Sequence, residues 1–333
     1  MLSPEKLNPA RHLDGCIKIS PCWPLSSIAE DVRTGLLKSP RSLPPKYFYD
    51  EHGALLFEQI CDTPEYYPTR TENTLLQSCA DEIIEVSRPS EIIELGAGSS
   101  RKTRRLFDAC ENQGHNCSYS AFDVCESILI QSAIELENEY PWLKTRPMLG
   151  DYNAGLGNIP IESGTNLFVF LGSTIGNFSA DEMLSFLRDL RMTMNEGDYF
   201  LLGADRVKDI TVLNAAYNDK QGITAEFNLN LLKALNRDTG SNFELENFRH
   251  NASFNTDKNQ IEMFLDVLNP QYVEFKKLQE GSQFNKGEQI LTEISRKFEK
   301  TEIEDTLKQN GFEISEHFEA KDAWFSLILA QAK

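Results

Sequence analysis

An apolar run, Ile92-Ile93-Glu94-Leu95, leads straight into Gly96-Ala97-Gly98-Ser99-Ser100 and then into a polar stretch, Arg101 to Ala109, that suits a helix. A strand, a glycine turn and a helix start, in that order, constrain this chain more than any other feature. The glycines let the backbone approach a ligand, and the helix start offers unpaired N–H groups. The same texture continues downstream. Strands are expected at 91–95, 119–124, 146–149, 166–172 and 199–204, with helices between them. Ser179 and Glu182 form a capping box that opens one of these helices. Such alternation implies an α/β fold whose parallel sheet is covered on both faces.

Outside this block the pattern differs. Prolines 4, 9, 21, 24 and 40 suggest extended chain over the first forty residues. An aromatic segment, Lys46-Tyr47-Phe48-Tyr49-Asp50, precedes a helix around Leu55, Leu56, Phe57 and Ile60. Pro64 and Pro68 push the residues before them towards extended geometry. A helix then fits from Thr71, with Leu75, Leu76, Cys79, Ile83 and Val86 on its apolar face. From Lys208 to Gln283 the alternation stops: a helix through Phe227 and Leu235 is followed by strand-like segments at 250–254 and 260–268, as in an insertion. Thr301 and Glu304 look like a second capping box, and Gly311 like the end of that helix. Segments 312–318 and 323–330 form a closing strand pair.

At 333 residues the chain can bury a large core in two lobes. A net charge of −18 disfavours a nucleic-acid partner, since phosphate contacts need clustered Lys and Arg. Seven cysteines without a Cys-x-x-Cys pair, and no export-length apolar run after Arg11 and Lys18, suggest reduced thiols in a cytoplasmic protein. Nothing approaches the roughly 20 apolar residues needed to span a bilayer. The histidines are scattered, so no metal site is expected.

The loop narrows the cofactor. A dinucleotide fingerprint would carry a third glycine where Ser99-Ser100-Arg101 stand, because a pyrophosphate requires that close approach. Asp123 ends the second strand, where a carboxylate can accept from a ribose diol. Asp151-Tyr152 follow the third strand and offer a carboxylate and a ring to an adenine. Acidic groups after successive strands, with no phosphate anchor, suit S-adenosylmethionine (SAM).

Separated motifs then resemble one family. They are Lys46-Tyr47-Phe48-Tyr49-Asp50, Glu65-Tyr66-Tyr67-Pro68-Thr69-Arg70-Thr71-Glu72, Glu94-Leu95-Gly96-Ala97-Gly98-Ser99, Leu171-Gly172-Ser173-Thr174-Ile175-Gly176-Asn177, Ala216-Tyr217-Asn218-Asp219 and Leu291-Thr292-Glu293-Ile294-Ser295. Together they resemble the SAM-dependent histidine Nα-methyltransferases of ergothioneine biosynthesis, which form hercynine. The resemblance implies a Rossmann-like methyltransferase domain (71–207 and 298–333) and a substrate-binding domain (1–70 and 208–297). It also implies cofactor contacts from Gly96, Gly98, Lys102, Asp123, Asp151 and Tyr152.

For the substrate, L-histidine, the resemblance assigns Tyr66, Asn177 and Tyr217 to the amino-acid backbone end. It places Tyr49, Phe57 and Gly172 near the reacting amine, with Tyr49, Tyr66 and Asn177 as the catalytic set. Glu293 and Ser295 lie two apart in a strand, on one face, and can bracket an imidazole. Met263 matches a pocket-lining position and reads equally well as a core residue. No histidine falls in a matching motif, so no dedicated base is evident. The expected reaction is three methyl transfers to the α-amine of a histidine bound to a monomer. The rivals are an Nα-methyltransferase for tryptophan or another amino acid, a nicotinamide oxidoreductase, and a silent binding module. Glu293 and Ser295 weigh against the first, the absent third glycine against the second, and intact motifs against the third.

Overall fold

The computed structural model describes residues 15–333, so the expectations at Pro4, Pro9 and Arg11 lie outside the described residues. β1 (Ile17–Lys18) is extended, but a short helix, α1 (Ile28–Asp31), runs into a π-helical turn at Val32–Leu36. Irregular chain up to Pro40 is therefore corrected: Val32 and Leu36 are both fully buried, and a helical turn puts residues four apart on one face.

After β2 (Arg41–Ser42), the Asp50 carboxylate accepts from Gly53 N–H at 2.9 Å and opens α2 (Glu51–Asp62). The next helix, α3 (Tyr67–Ser87), starts earlier than Thr71. Pro68 sits in its first turn, where its missing N–H has no helical partner to lose. Leu75, Leu76, Cys79 and Ile83 are buried as expected, whereas Val86 is exposed.

The alternating block follows: β3 (Glu91–Leu95), α4 (Arg104–Asn112), β4 (Ser118–Asp123), α5 (Glu126–Glu139), β5 (Lys144–Leu149), β6 (Asn166–Phe170), α6 (Ala180–Thr193) and β7 (Tyr199–Asp205). The chain continues through α7 (Ile210–Ala216), α8 (Ile223–Thr239), β8 (Phe248–Asn255), β9 (Gln260–Val267), β10 (Gln271–Phe275), β11 (Glu280–Phe284) and β12 (Gln289–Arg296). It closes with α9 (Lys300–Gln309), β13 (Phe312–Glu319) and β14 (Phe325–Ala332). The Ser179–Glu182 capping box is present at α6. At α9 the box is formed by Glu299 and Glu302 rather than Thr301 and Glu304, because the helix begins one residue earlier than Thr301.

Eight strands make one sheet in the order β1-β5-β4-β3-β6-β7-β14-β13. It is parallel from β1 to β7, and β14 runs antiparallel to both its neighbours. Alternate residues face opposite sides. Ile92, Tyr119, Ala121, Leu167 and Val169 pack against α3, α4 and α5, whereas Ile93, Phe122, Phe168, Phe170 and Leu202 pack against α6 and α9. This is the α/β, Rossmann-like fold read from the sequence.

Strand order reverses at β3, which has β4 on one side and β6 on the other. Ligands of such sheets sit in the crevice beyond the carboxyl ends of the strands at that switch. The Gly96–Ser100 loop and the Leu171–Asn177 segment both leave the sheet there. A third core joins Leu56, Ile60, Tyr66, Phe227, Leu231, Met263 and Ile290. It packs α2 and α8 against a four-stranded sheet ordered β2-β12-β9-β8. No helix among the described residues is long and apolar enough to cross a membrane.

Candidate active site

At the end of β3 the glycine loop is braced from below and from the side. Glu94 points beneath it, accepting from Thr103 Oγ1 at 2.6 Å and from the Tyr119 hydroxyl at 2.5 Å. Burial pushes the Glu94 carboxyl up to about 7, against those two hydrogen bonds. Glu94 is thus part of the loop's foundation rather than a ligand contact. Asp123 reaches across from β4: its Oδ2 accepts from Gly98 N–H at 2.9 Å and its Oδ1 from Cys125 N–H at 3.0 Å. Burial raises its pKa above the usual carboxylate value in spite of these donors.

Gly96 (φ +70°) and Gly98 (φ +49°) occupy the left-handed region that disfavours side chains. A Cβ at Gly96 would lie 3.6 Å from Tyr152 Cε1, so the glycine preserves the slot between loop and ring. Tyr152 is fixed edge-on against Phe170, Phe178 and Phe186. Asp151 Oδ1 accepts from the Asn153 backbone at 2.8 Å and holds the start of that turn.

The cations after the loop are all engaged by the protein. Arg101 pairs with Glu58 and Asp62, Lys102 with the fully buried Glu72, and Arg104 with Glu139 and the carbonyls of Ser99 and Ser100. The slot is therefore acidic, with a ring on one wall and no cation reserved for a phosphate. That donor set fits a nucleoside carrying its own positive charge, as SAM does. Glu72, which holds Lys102, also accepts from Gly172 N–H at 2.9 Å.

The second cluster forms a small, half-open cavity beside this slot. Phe57, Ile60, Tyr66, Ala216, Tyr217, Thr224, Phe227, Met263 and Glu293 line it. Tyr49 packs edge-on to Phe57 and Phe227, and Tyr66 lies between Phe57 and Tyr217. The β12–β9 register shifts between Leu291 and Glu293 and sets Glu293 opposite Met263. Such a bulge re-aims the side chains that follow it, and here it buries Thr292 and Glu293 together. Glu293 has no hydrogen-bonding group acting on its carboxyl among the described residues; burial pushes it up to about 7, with Lys297 pulling the other way.

Ser295, two residues on and on the same strand face, is buried as well. Its Oγ accepts from the Tyr217 hydroxyl at 2.9 Å and from Lys297 Nζ at 2.9 Å. Asn177 ends a short 3-10 turn, Thr174–Asn177, and is half-buried. That turn is pressed on β12, since a Cβ at Gly176 would come within 2.7 Å of the Arg296 carbonyl oxygen. Gly172 (φ +78°) begins the same segment, next to Thr174 and Lys102.

The two clusters share one electrostatic neighbourhood. The Tyr49 hydroxyl is held well above its ordinary pKa by burial and by the carboxylates of Glu293 and Asp123. Tyr152 is raised by burial and by Asp151, Asp123 and Glu293. Burial, with Tyr217 and Glu293 nearby, raises Tyr66 as well. These phenols are neutral hydroxyls at physiological pH, unsuited to act as phenolate bases. Sequence reasoning missed Phe227 and Thr224 on α8, the Glu72 brace, and Lys297 with Asp205 behind Tyr217. Lys297 had a signal: it extends the Glu293, Ser295 alternation by two residues.

Residues 28–332 match the family described as histidine-specific methyltransferase, SAM-dependent. A histidine N-alpha-methyltransferase of Mycolicibacterium smegmatis is 40% identical over 304 residues, covering 91% of this chain and 94% of that protein. Another, from Mycobacterium tuberculosis, is 42% identical over 272 residues, covering 82% and 84%. Ergothioneine biosynthesis protein 1 of Neurospora crassa is 34% identical over 211 residues, which is 62% of this chain and 24% of that longer protein. The chain belongs to the family of SAM-dependent, histidine-specific methyltransferases.

Proposed function

We propose that the protein transfers three methyl groups to the α-amine of L-histidine, giving hercynine, and so serves ergothioneine biosynthesis. The observation that carries the substrate assignment is the Glu293 carboxyl, buried in a cavity otherwise lined by aromatic and apolar side chains and Thr224, with no hydrogen-bonding partner among the described residues. A buried carboxylate is costly unless something pairs with it, and an imidazole N–H is a fitting donor. A site built around such an acceptor discriminates strongly against side chains lacking the donor. The curated relatives' names support the same substrate.

The residue roles follow from placement. Gly96 and Gly98 admit the nucleoside, Asp123 receives the ribose diol, and Asp151 with Tyr152 holds the adenine. Lys102 acts through Glu72, which ties the glycine loop to Gly172. Tyr66, Tyr217 and Asn177 hold the amino-acid backbone, and Met263 with Phe227 closes the cavity around the ring. Bound SAM supplies an electrophilic methyl on its sulfonium. The chain's task is to align the amine with it and exclude water, which can contribute several kcal/mol of barrier lowering. Tyr49 and Phe57 stand where the nitrogen becomes a quaternary cation; such faces are worth about 0.5–2 kcal/mol. The absence of a Cβ at Gly172 leaves room for successive methyls.

We also propose that 71–207 with 298–333 is the cofactor domain and that 208–297 with the N-terminal segment up to residue 70 is the substrate domain, corrected at β1 (Ile17–Lys18), which joins the cofactor sheet beside β5; largely separate cores support the division. We further propose a monomer in a reducing cytoplasmic setting; the free cysteines among the described residues support the setting. Mass spectrometry of histidine incubated with enzyme and SAM tests the function. Three successive methyl additions are expected; a single addition, or none, overturns the trimethylation.

A further inference from the structure

The segment after β1 lies on the cofactor side of the molecule and has no task in the proposed mechanism. β1 pairs with β5 at Ile17–Met148 and Lys18–Leu149, and Ile19 N–H donates to the Leu149 carbonyl at 2.9 Å. Pro21 and Pro24 favour extended backbone around them, and Ser20 to Trp23 run alongside the loop that leaves β5. That loop carries Asp151 and the 3-10 turn Tyr152–Ala154. Carbonyls at the end of so short a turn have no partner within it. The neighbouring segment supplies the donors. The Trp23 indole Nε1–H donates to the Asn153 carbonyl at 2.8 Å, and Cys22 N–H to the Ala154 carbonyl at 2.7 Å. Asn158 Nδ2 ties back to the Ser20 carbonyl at 2.9 Å. Gly155 (φ +95°) permits the close approach, since a Cβ there would stand 2.7 Å from Cys22 Cβ and 2.8 Å from Trp23 Cζ3.

Within the clamped turn, Asp151 Oδ1 accepts from Asn153 N–H at 2.8 Å and from Asn153 Nδ2 at 2.9 Å, which leaves Oδ2 uncommitted among the described residues. The Asp151 carboxylate is close enough to Asp123 and Tyr152 to raise both their pKa values, so its charge sits at the slot. We infer that Trp23 is a positioning residue for the cofactor's base: by holding the Asn153 carbonyl it fixes Asn153, and through it the Asp151 carboxylate that accepts from an exocyclic amine. The inference rests on the assignment of Asp151 and Tyr152 to adenine. The two groups depend on the clamp differently. Tyr152 is wedged against Phe170, Phe178 and Phe186, whereas Asp151 is held by Asn153, whose carbonyl Trp23 holds in turn. Trp23 thus acts on recognition of the amine more than on stacking. Its side chain is 45% exposed, so replacing it removes little core packing.

The test is a double-mutant cycle of Trp23→Phe and Asp151→Ala, titrated with S-adenosylhomocysteine and with its 6-deamino analogue, whose base is unsubstituted purine. Wild-type protein is expected to bind S-adenosylhomocysteine about tenfold or more tightly than the analogue, as for a hydrogen bond to a charged group. Trp23→Phe should weaken S-adenosylhomocysteine binding by about fivefold or more and binding of the analogue by less than about twofold, so that the preference shrinks. In the Asp151→Ala background Trp23→Phe should add almost nothing. Equal weakening of both ligands, as general loosening of the N-terminal segment would give, an additive cycle, or unchanged S-adenosylhomocysteine affinity would overturn the inference. If Trp23→Phe loses its cooperative thermal unfolding, Trp23→Leu runs the same cycle. Wild-type protein that binds the two ligands equally would contradict the assignment of Asp151 to the adenine amine itself; wild-type protein that prefers S-adenosylhomocysteine upholds that assignment, and the cycle then decides the inference alone.

Discussion

The cofactor slot and the substrate cavity meet at Tyr49, yet they are built on opposite rules. In the slot, acidic side chains are braced by backbone donors close in sequence or on the next strand: Asp123 by Gly98 and Cys125, Asp151 by Asn153. In the cavity, Glu293 is left without such a donor. A braced carboxylate holds its own loop in shape before any ligand arrives, whereas an unbraced one is unfavourable until a ligand completes it. The difference separates scaffold from selectivity. If Glu293 receives the imidazole as proposed, the slot can serve any methyl acceptor, while the cavity commits the enzyme to one that brings a donor.

The largest expected effect tests the slot. Asp123→Ala removes the brace on Gly98 N–H together with the ribose acceptor, two charge-assisted interactions worth about 1.5–3 kcal/mol each. S-adenosylhomocysteine affinity should fall at least about 100-fold by calorimetry. A change below tenfold would show that Asp123 shapes the loop without holding the nucleoside.

A smaller effect tests the cavity through pH. Glu293 moves from an ordinary 4.5 to about 7 on folding, so between those values the native state binds more protons than the unfolded state. Stability from this group is fully present below 4.5 and is lost as pH rises through 7. Glu94, pushed to about 7 in the same direction, contributes a similar loss. Glu293→Gln should remove one of the two, leaving thermal unfolding about 1–3 kcal/mol less pH-dependent across that window in the ligand-free protein. An identical pH profile in the variant would mean that Glu293 finds a partner in the free enzyme.

The same contrast explains what the sequence made legible. Strand alternation, the glycine turn and the Ser179 cap are local signals, and all three appear in the structure. Glu293 was legible because its motif stands out, although the bulge that buries it was not. What escaped was set by contacts distant in sequence: Glu72 with Lys102, Phe227 against Phe57, and Lys297 with Asp205 and Tyr217. The surroundings of Ser295 escaped for that reason too. Alternation placed it correctly on the Glu293 face, but only packing shows that Tyr217 and Lys297 stand on its hydroxyl. Helix starts at Tyr67 and Lys300 were misplaced where proline and glutamate took the first-turn and capping positions.

The division between slot and cavity is tested most directly by calorimetric titration of Glu293→Gln at pH 8 with S-adenosylhomocysteine and then with L-histidine. The amide preserves size but removes the charged acceptor for the imidazole N–H. The nucleoside should bind as in the wild type, within about twofold, while histidine binding weakens by about tenfold or more, as for loss of a charge-assisted hydrogen bond. Histidine affinity equal to that of the wild type would contradict the account, because the carboxylate that lines the cavity would then have no part in choosing the substrate.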